Sequence, residues 1–435
     1  MSQIRMPCDI KLFDKNVLRG IINLAYFLAY SIESEAAAIF GVVKIKTNQH
    51  IGAAAVPVVA VGDAVRKGQL IASCAADTLG ADVHSSVYGR VASICADYVE
   101  IACDDAQPAE YDKIPDTDCN LEAIRRAGIV GAGGAGFPAY VKFNTDLNGG
   151  CIILNAAECE PTLFHNIRVL EQDADAIVRG LGYVMEITNA AKGYIAIKPK
   201  NKRALIAVAK ACKSRADIEI AYLPDLYPAG DERVVVREVL GIELVPGQLP
   251  TAAGAIVTNV ETIKRVYEAI ELRKPVITKD FTVGGRLADT LGTSPRVYLD
   301  QPIGVAVGHY IDDCGGFVEP RGEIVLGGPF TGASGTDGDV VTKTLGGIFA
   351  AQPFPTATKK FGILICECGA DEGRLREIVA GMGGDVVAQA KCKRMVKVGE
   401  RLRCEKPGMC PGQAEVALRL KADGAEAIIS GACED

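Results

Sequence analysis

Four glycines within six residues constrain this chain more than any other feature of its sequence. They lie in the segment GIVGAGGAGFPAYVKF (128–143) and are Gly131, Gly133, Gly134 and Gly136. With so few Cβ atoms, the backbone can press against a planar ring or a phosphate and offer its N–H groups. The following AYVKF predicts a short helix whose N-terminus favours an anion, and Lys142 adds a positive charge. Alone the pattern is weak, because glycine-rich loops without a ligand are common.

Three further polar segments follow where strands are predicted to end or helices to begin. They are 153–161 with Asn155, Glu158 and Glu160, 227–235 with Gly230, Asp231 and Glu232, and 258–262 with Asn259. Open α/β sheets bind ligands at the carboxyl ends of their strands, which favours a shared site. Each segment taken singly is more often structural than functional.

The pattern of strand-like, helix-like and turn segments changes several times along the sequence, which predicts a multidomain α/β and β fold. Residues 43–104 show short strands and Gly turns in two similar halves, typical of a barrel-sandwich hybrid of the lipoyl or biotinyl type. Residues 120–272 alternate strand-like and helix-like segments, which predicts a mostly parallel sheet covered by helices. Residues 275–353 favour a small β-rich module with at most one short helix, and 358–435 return to an α/β pattern rich in cysteine. Residues 1–42 form an N-terminal extension.

Composition excludes some classes of protein. The net charge is −7, there is no Trp, and no Lys/Arg block occurs, so we expect no nucleic-acid partner. Fifteen scattered cysteines, an odd number, do not form the framework of a secreted disulfide-rich domain and fit a cytoplasmic protein with reduced thiols. The apolar run 17–31 is interrupted by Arg19, which favours an amphipathic helix or a start codon placed too early over a targeting segment.

Lipoyl and biotinyl carrier domains place a modifiable Lys at the tip of their second hairpin. Here that tip reads His84-Ser85-Ser86-Val87. The sequence therefore predicts no covalent lipoyl or biotin arm.

Taken in order, the four polar segments resemble the flavoprotein subunit of respiratory complex I and its relatives, the Rnf complex C subunit and the microcompartment cobalamin reductases. The matching motifs are Gly136-Phe137-Pro138 with Lys142, Asn155 with Glu158-Cys159-Glu160-Pro161, Tyr227 with Gly230-Asp231-Glu232, and Asn259-Val260-Glu261-Thr262. They cover the whole of the central domain. The barrel-sandwich before it and the β-rich module after it, which the resemblance makes a β-grasp module of the SLBB type, also match the layout of the Rnf C subunit.

The resemblance implies a non-covalently bound FMN with NADH as co-substrate. Gly131, Gly133 and Lys142 would lie on the phosphate side, with Gly134, Gly136 and Gly230 in the same loops. Asn155, Glu158, Asp231, Glu232 and Asn259 would line the ribityl chain and the ring. Glu160 would meet the nicotinamide nucleotide, and Phe137 would stack on it.

Two departures from the family pattern are visible. Complex I proteins carry Arg between the first two loop glycines, where this chain has Ala132. The Rnf protein extends into two ferredoxin-type clusters, whereas this chain contains no Cys-x-x-Cys at all. We therefore expect no iron–sulfur cluster of that type.

The C-terminal segment carries thiols instead. Six of the fifteen cysteines lie there, at the ends of predicted strands and helices: Cys366, Cys368, Cys392, Cys404, Cys410 and Cys433. Cys410 precedes a predicted helix, whose N-terminus can lower a thiol pKa. Three interpretations stay open: buried packing residues, ligands of a metal or cluster with unusual spacing, and redox-active thiols.

A core of the Rnf C type followed by such a segment resembles the proline reductase-associated electron-transfer protein of amino-acid-fermenting clostridia. The resemblance implies electron transfer from NADH through FMN and the C-terminal thiols to a partner reductase, with membrane association only through a partner complex. Some members of that family are selenoproteins, and a selenocysteine codon read as a stop would leave an end like Cys433-Glu434-Asp435. A cobalamin- or quinone-linked reductase subunit is the alternative in the same class. A non-enzymatic docking protein with an empty flavin pocket is the alternative of another class.

Overall fold

The computed structural model describes residues 40–75, 77–367 and 369–431. Most of the N-terminal extension, together with Cys368 and Cys433, lies outside the described residues. Within these ranges no helix is both long and apolar enough to cross a bilayer.

The first domain consists of two small antiparallel sheets. Its strands are Val42–Lys46 (β1), Val56–Pro57 (β2), Ala64–Val65 (β3), Leu70–Ser73 (β4), Val83–His84 (β5), Gly89–Ile94 (β6) and Tyr98–Cys103 (β7). One sheet has the order β1-β7-β6-β3 and the other β2-β4-β5. Side chains alternate along β1, with Val43 and Ile45 fully buried, as expected for strands that cover a core on one face.

The tip predicted to replace a carrier lysine is buried in the structure. Residues 84–87 are all at most 5% exposed, and Ser86 Oγ donates to the carbonyl of Ile303 at 2.6 Å. The hairpin tip therefore packs between two domains.

The central domain has a four-stranded parallel sheet of order β10-β9-β8-β11. Its strands are Cys151–Ala156 (β8), Lys192–Ile197 (β9), Ile218–Tyr222 (β10) and Ala255–Asn259 (β11). Its helices are Asn120–Arg126 (α1), Ala139–Phe143 (α2), His165–Ile187 (α3), Lys202–Ala211 (α4), Glu232–Leu240 (α5) and Val260–Tyr267 (α6). The predicted parallel sheet is confirmed. Because the four strands run in one direction, β8 and β11 end side by side, with Asn155 opposite Asn259.

The β module, residues 275–353, has one mixed sheet of order β13-β12-β16-β14-β15 and one helix. Its elements are Thr278–Gly285 (β12), Arg296–Pro302 (β13), Val307–Asp313 (α7), Ile324–Leu326 (β14), Ala333–Gly335 (β15) and Gly347–Ala350 (β16). The sheet joins the core of the first two domains through buried residues such as Phe281 and Ile348.

The cysteine module, described over residues 358–367 and 369–431, contains a three-stranded parallel sheet of order β18-β17-β21 and a separate hairpin. Its elements are Lys360–Ile365 (β17), Glu372–Gly381 (α8), Asp385–Lys391 (β18), Met395–Val398 (β19), Arg401–Cys404 (β20), Ala414–Ala422 (α9) and Ala427–Ser430 (β21). The hairpin β19–β20 is not evident in the sequence pattern. It presents Cys404 at its end.

One buried lysine links three domains beside the glycine loop, residues 131–136. Lys343 of the β module is 2% exposed, and its Nζ donates to the carbonyls of Asp82 and Gly128, at 2.7 Å each. Burial lowers the pKa of Lys343 to about 8. Gly128 opens the segment that carries the glycine loop, so this contact fixes the loop relative to the barrel-sandwich and the β module.

Candidate functional site

A cleft lies at the carboxyl ends of β8 and β11. It consists of two adjoining cavities of about 210 and 370 Å³. Five residues line both cavities: Gly133, Gly134, Asn155, Gly230 and Asn259. All five belong to the segments that the sequence singled out, so four stretches spread over more than a hundred residues converge on one site.

The glycine loop is held at its base and open at its tip. Val130 and Pro138 form an antiparallel bridge, and the N–H of Ala132 donates to Thr262 Oγ1 at 3.0 Å. A Cβ on Gly133 would lie 2.7 Å from Asn259 Nδ2, whereas a Cβ on Gly134 would have no atom within 4 Å. The lack of side chains thus keeps the surface of the loop flat next to Asn259.

Gly136 closes the loop in the left-handed region, at φ +74°. A Cβ there would lie 3.0 Å from the carbonyl oxygen of Gln49 and from Thr344 Cγ2. The glycine therefore allows the loop to touch the barrel-sandwich and the β module at once.

Two asparagines at the strand ends are fixed by backbone groups. Asn155 Nδ2 donates to the carbonyl of Gly230 at 2.9 Å, and its Oδ1 accepts from the N–H of Ala157. Asn259 Oδ1 accepts from the N–H of Glu261 at 2.8 Å, as the N-cap of α6. Both side chains line the cleft, held by these hydrogen bonds.

The two glutamates after β8 have different partners. Glu158, at φ +38°, accepts from the N–H and the side-chain amide of Asn166, at 2.8 and 3.2 Å, near the start of α3. Glu160 accepts from the N–H of Phe330 at 2.9 Å and from the hydroxyl of Thr331. Glu160 therefore ties the central domain to the loop that follows β14, at the edge of the larger cavity.

The loop 227–232 places one of its two acidic residues in the cleft, whereas the sequence suggested both. Asp231 is not among the lining residues of the cleft: its carboxylate accepts from the N–H groups of Arg233 and Val234 as the N-cap of α5. Burial raises the pKa of Asp231, although Arg233 opposes this. Glu232 does line the cleft and pairs with Lys142 at 3.0 Å.

Lys142, expected on the phosphate side, lines the smaller cavity. Phe137, expected to stack on the nicotinamide nucleotide, lines this same cavity, whereas Glu160 lines the larger one, and Phe137 is 37% exposed. The N–H of Ala139, at the start of α2, already donates to the carbonyl of Ile129, so this group does not serve a phosphate. The charge of Lys142 is thus the feature of this end that suits an anion.

The cleft fits a flat cofactor with an anionic tail. Its floor is the side-chain-free backbone at Gly133 and Gly134, its walls carry the fixed amides of Asn155 and Asn259, and Lys142 lies at one end. These groups suit a flavin mononucleotide.

Four described cysteines of the C-terminal segment gather in one place. Cys392 and Cys404 are buried in one cluster with Met395. Gln413 Nε2 donates to Cys392 Sγ at 3.0 Å and contacts Cys410 Sγ at 3.7 Å. Burial raises the pKa of Cys404, and the neighbouring Cys366 and Cys392 add to this rise.

None of the described cysteines forms a disulfide, and none of the described residues forms a metal-binding group of three or more ligands. Cys392, which sequence reasoning noted only as a strand end, proves central to the cluster. Thr331 and Phe330 were not singled out, because nothing within their own segment signals that Glu160, 170 residues away, binds there.

Two family profiles match the chain. The Nuo51 FMN-binding domain matches residues 124–268, and the RnfC barrel sandwich hybrid domain matches residues 31–105. They coincide with the central domain and with the barrel-sandwich.

Relatives cover much of the chain. The C subunit of the proton-translocating ferredoxin:NAD(+) oxidoreductase complex of Clostridium ljungdahlii is 35% identical over 317 residues, which span 68% of this chain and 67% of that protein. The C subunit of the Na(+)-translocating complex of Acetobacterium woodii is 30% identical, over 73% of this chain and 76% of its own. The cobalamin reductase PduS of Salmonella typhimurium is 38% identical over 52% of this chain, which spans about half of PduS, 48%.

Among solved structures, an NAD+-reducing [NiFe]-hydrogenase in its H2-reduced state gives a TM-score of 0.43 at 23% identity, over 54% of this chain and 46% of that one.

Proposed function

Because the chain belongs to the RnfC family of oxidoreductase flavoprotein subunits, we propose that it oxidises NADH with a bound FMN and passes the electrons to the thiols of the cysteine module and on to a partner reductase. The observation that carries the proposal is the convergence of the glycine loop, the strand ends at Asn155 and Asn259, and Gly230 on one cleft within the matched FMN-binding domain.

A bound FMN supplies hydride acceptance and the release of single electrons. The chain supplies binding and orientation. Gly133 and Gly134 would present bare backbone to the cofactor, and Lys142 would offer its charge to the phosphate, in exchange for its pairing with Glu232. Asn155 and Asn259 hold their amides in place through backbone hydrogen bonds, so little side-chain entropy is lost when a ligand binds.

Glu160 is the group that we assign to the nicotinamide nucleotide. It lies on the larger cavity, and two donors of the loop after β14 fix its carboxylate. Beside it, the rings of Tyr227 and Phe330 meet edge to face at 4.6 Å. We therefore expect Glu160 and its aromatic neighbours to orient the nucleotide.

The proposed electron path from the cleft to the thiols depends on contacts between the central domain and the cysteine module. Helix α5 begins at the cleft, and Arg233 in its first turn donates to Glu367 at 2.9 Å and to the carbonyl of Cys404 at 2.6 Å. Glu367 separates Cys366 from Cys368. One arginine thus joins the loop that forms the cleft to the segments that carry the thiols.

Purification under anaerobic conditions tests the proposal. The protein should be yellow, should release FMN on denaturation, and should reduce ferricyanide with NADH. A colourless protein that takes up no FMN, and that binds partners nonetheless, supports the docking alternative instead.

The acceptor is a separate question, and the similarity to PduS favours a second candidate, cob(II)alamin. The cysteine module lies beyond the two matched domains and favours a reductase that accepts electrons from thiols, such as proline reductase. Comparing NADH-dependent reduction of cob(II)alamin with that of a protein disulfide distinguishes the two acceptors.

A further inference from the structure

The cysteine cluster contains one pair of sulfurs that a single side chain connects. Gln413 precedes α9, and its Nε2 reaches Cys392 Sγ at 3.0 Å and Cys410 Sγ at 3.7 Å. Its Oε1 is buried without a hydrogen-bond partner among the described residues, so the two sulfurs are the groups that position this amide. No sequence motif links Cys392 and Cys410, which lie 18 residues apart along the chain.

The two sulfurs differ in access. Cys392 is 3% exposed, at the end of β18, whereas Cys410 is only partly buried and follows the turn at Gly408. Thiol–disulfide exchange begins with attack by an accessible thiolate on a disulfide sulfur, and a second thiol close by can then resolve the mixed disulfide. Cys404 is also buried next to Cys392, at 7% exposed, but the side chain that contacts Cys410, Gln413, donates to Cys392.

We infer that Cys392 and Cys410 form a dithiol–disulfide centre that reduces a disulfide of the partner protein, an inference that rests on the proposed function for its source of electrons. The Cys410 thiolate attacks the partner's disulfide, and one partner sulfur leaves as a thiol. Cys392 then attacks the mixed disulfide, which releases the second partner thiol and forms the Cys392–Cys410 bond. One NADH and one proton return this bond to two thiols, so two electrons pass in each cycle.

Gln413 is a positioning residue of this centre. A disulfide needs a sulfur–sulfur distance of about 2 Å, so the contacts that one amide makes with two separate sulfurs change when the bond closes. Its contacts therefore favour the dithiol. Gln413→Ala should shift the equilibrium toward the disulfide by about tenfold, as expected for the loss of two weak hydrogen bonds.

Redox titration of the full chain tests the inference without NADH or flavin. The protein is equilibrated in glutathione buffers of graded potential, quenched with acid, alkylated in two isotopic forms and mapped by mass spectrometry. Cys392 and Cys410 should lose their thiols together, with one midpoint and one cross-linked peptide pair. Cys119, exposed and distant in sequence, is the control and should titrate alone.

Single variants assign the two roles. Cys392→Ser should trap a mixed disulfide of glutathione on Cys410, whereas Cys410→Ser should trap none on the buried Cys392. Cys119→Ser should behave as the unsubstituted chain. Independent titration of the two thiols, a cross-link of Cys410 to Cys404, or a stoichiometric metal that protects the thiols until chelation would each overturn the inference. Failure of NADH to reduce a disulfide that forms as described overturns the proposed function and leaves the dithiol centre standing.

Discussion

At the scale of single residues, Gly133, Asn155 and Asn259 meet in one cleft, because the ends of parallel strands share one edge of a sheet. Asp231, in contrast, caps α5. An acidic residue just before a helix serves its own backbone as readily as a ligand, and local sequence does not separate these roles.

Gly133 offers the most direct test of the cleft. We expect Gly133→Val to abolish FMN retention, because a Cβ at this position would already lie 2.7 Å from Asn259 Nδ2, and the valine methyls would fill the space next to it. Flavin absorbance per mole of protein measures the effect. Gly373→Ala, in the first turn of α8, is the matched control and should retain full flavin. If Gly133→Val keeps its flavin, the cofactor binds elsewhere.

Glu160 should affect NADH and not FMN. Glu160→Gln removes the charge while keeping an acceptor for the N–H of Phe330, and we expect kcat/KM for NADH to fall by about tenfold or more at constant FMN content, as for a lost hydrogen bond to a charged group. Thr331→Val removes a donor to the same carboxylate and should have a smaller effect in the same direction. Parallel loss of flavin and activity in Glu160→Gln would assign Glu160 to the FMN pocket.

At the scale of elements, α6 is fixed by buried charges that the sequence pattern did not predict. Arg265 pairs with Glu261, Glu268 and Asp300 at 2.8 to 3.0 Å, and Lys264 with Asp300 at 2.9 Å. Amphipathic periodicity identifies α6 as a helix but does not reveal that its charged residues face β12 and β13. Their partners lie as far as 36 residues away in the chain.

Arg265→Met should destabilise the protein strongly. The substitution leaves three buried or partly buried carboxylates without their shared cation, at a cost of about 3–5 kcal/mol. The thermal midpoint should fall on the order of 10 °C. Arg66→Ala breaks an ion pair whose arginine side chain is 65% exposed, so solvent screens the pair and the thermal midpoint should change little. Equal shifts for the two variants would show that the buried network does not stabilise α6.

The same network predicts the behaviour of the protein in acid. Burial alone would raise the pKa of Glu268 and of Asp280, but Arg265 beside both lowers each pKa on balance. A carboxylate whose pKa is lower in the folded state contributes stability above its unfolded pKa and loses it as the pH falls. The thermal midpoint should therefore decrease below about pH 4. A midpoint that stays constant between neutral pH and about pH 3 contradicts this assignment.

At the scale of the whole molecule, function depends on how separate units meet. The glycine loop touches the barrel-sandwich at Gly136, Lys343 joins three domains, and Glu160 reaches the β module. The sequence predicted the barrel-sandwich and the FMN-binding domain, because each has its own pattern of periodicity and turns. It could not predict their contacts, since residues such as Arg233 and Glu367 carry no signal of their pairing across 134 positions.

We expect substitution of Arg233 to uncouple the cysteine module from the cleft. Its side chain is 11% exposed and binds Glu367 and the carbonyl of Cys404, so Arg233→Ala removes a charge-assisted contact worth about 1.5–3 kcal/mol. Amide hydrogen exchange in residues 401–410 should accelerate by about tenfold, and NADH-driven exposure of thiols in the module should slow. Arg237→Ala, on the same helix, loses a hydrogen bond to the neutral carbonyl of Pro407 and should have a smaller effect on both measurements.

Because Arg233 also lies 3.7 Å from Asp231, FMN content is measured in each variant, to separate uncoupling of the module from damage to the cleft. Unchanged exchange in 401–410 would mean that other contacts hold the module, and that electrons leave the cleft by another route.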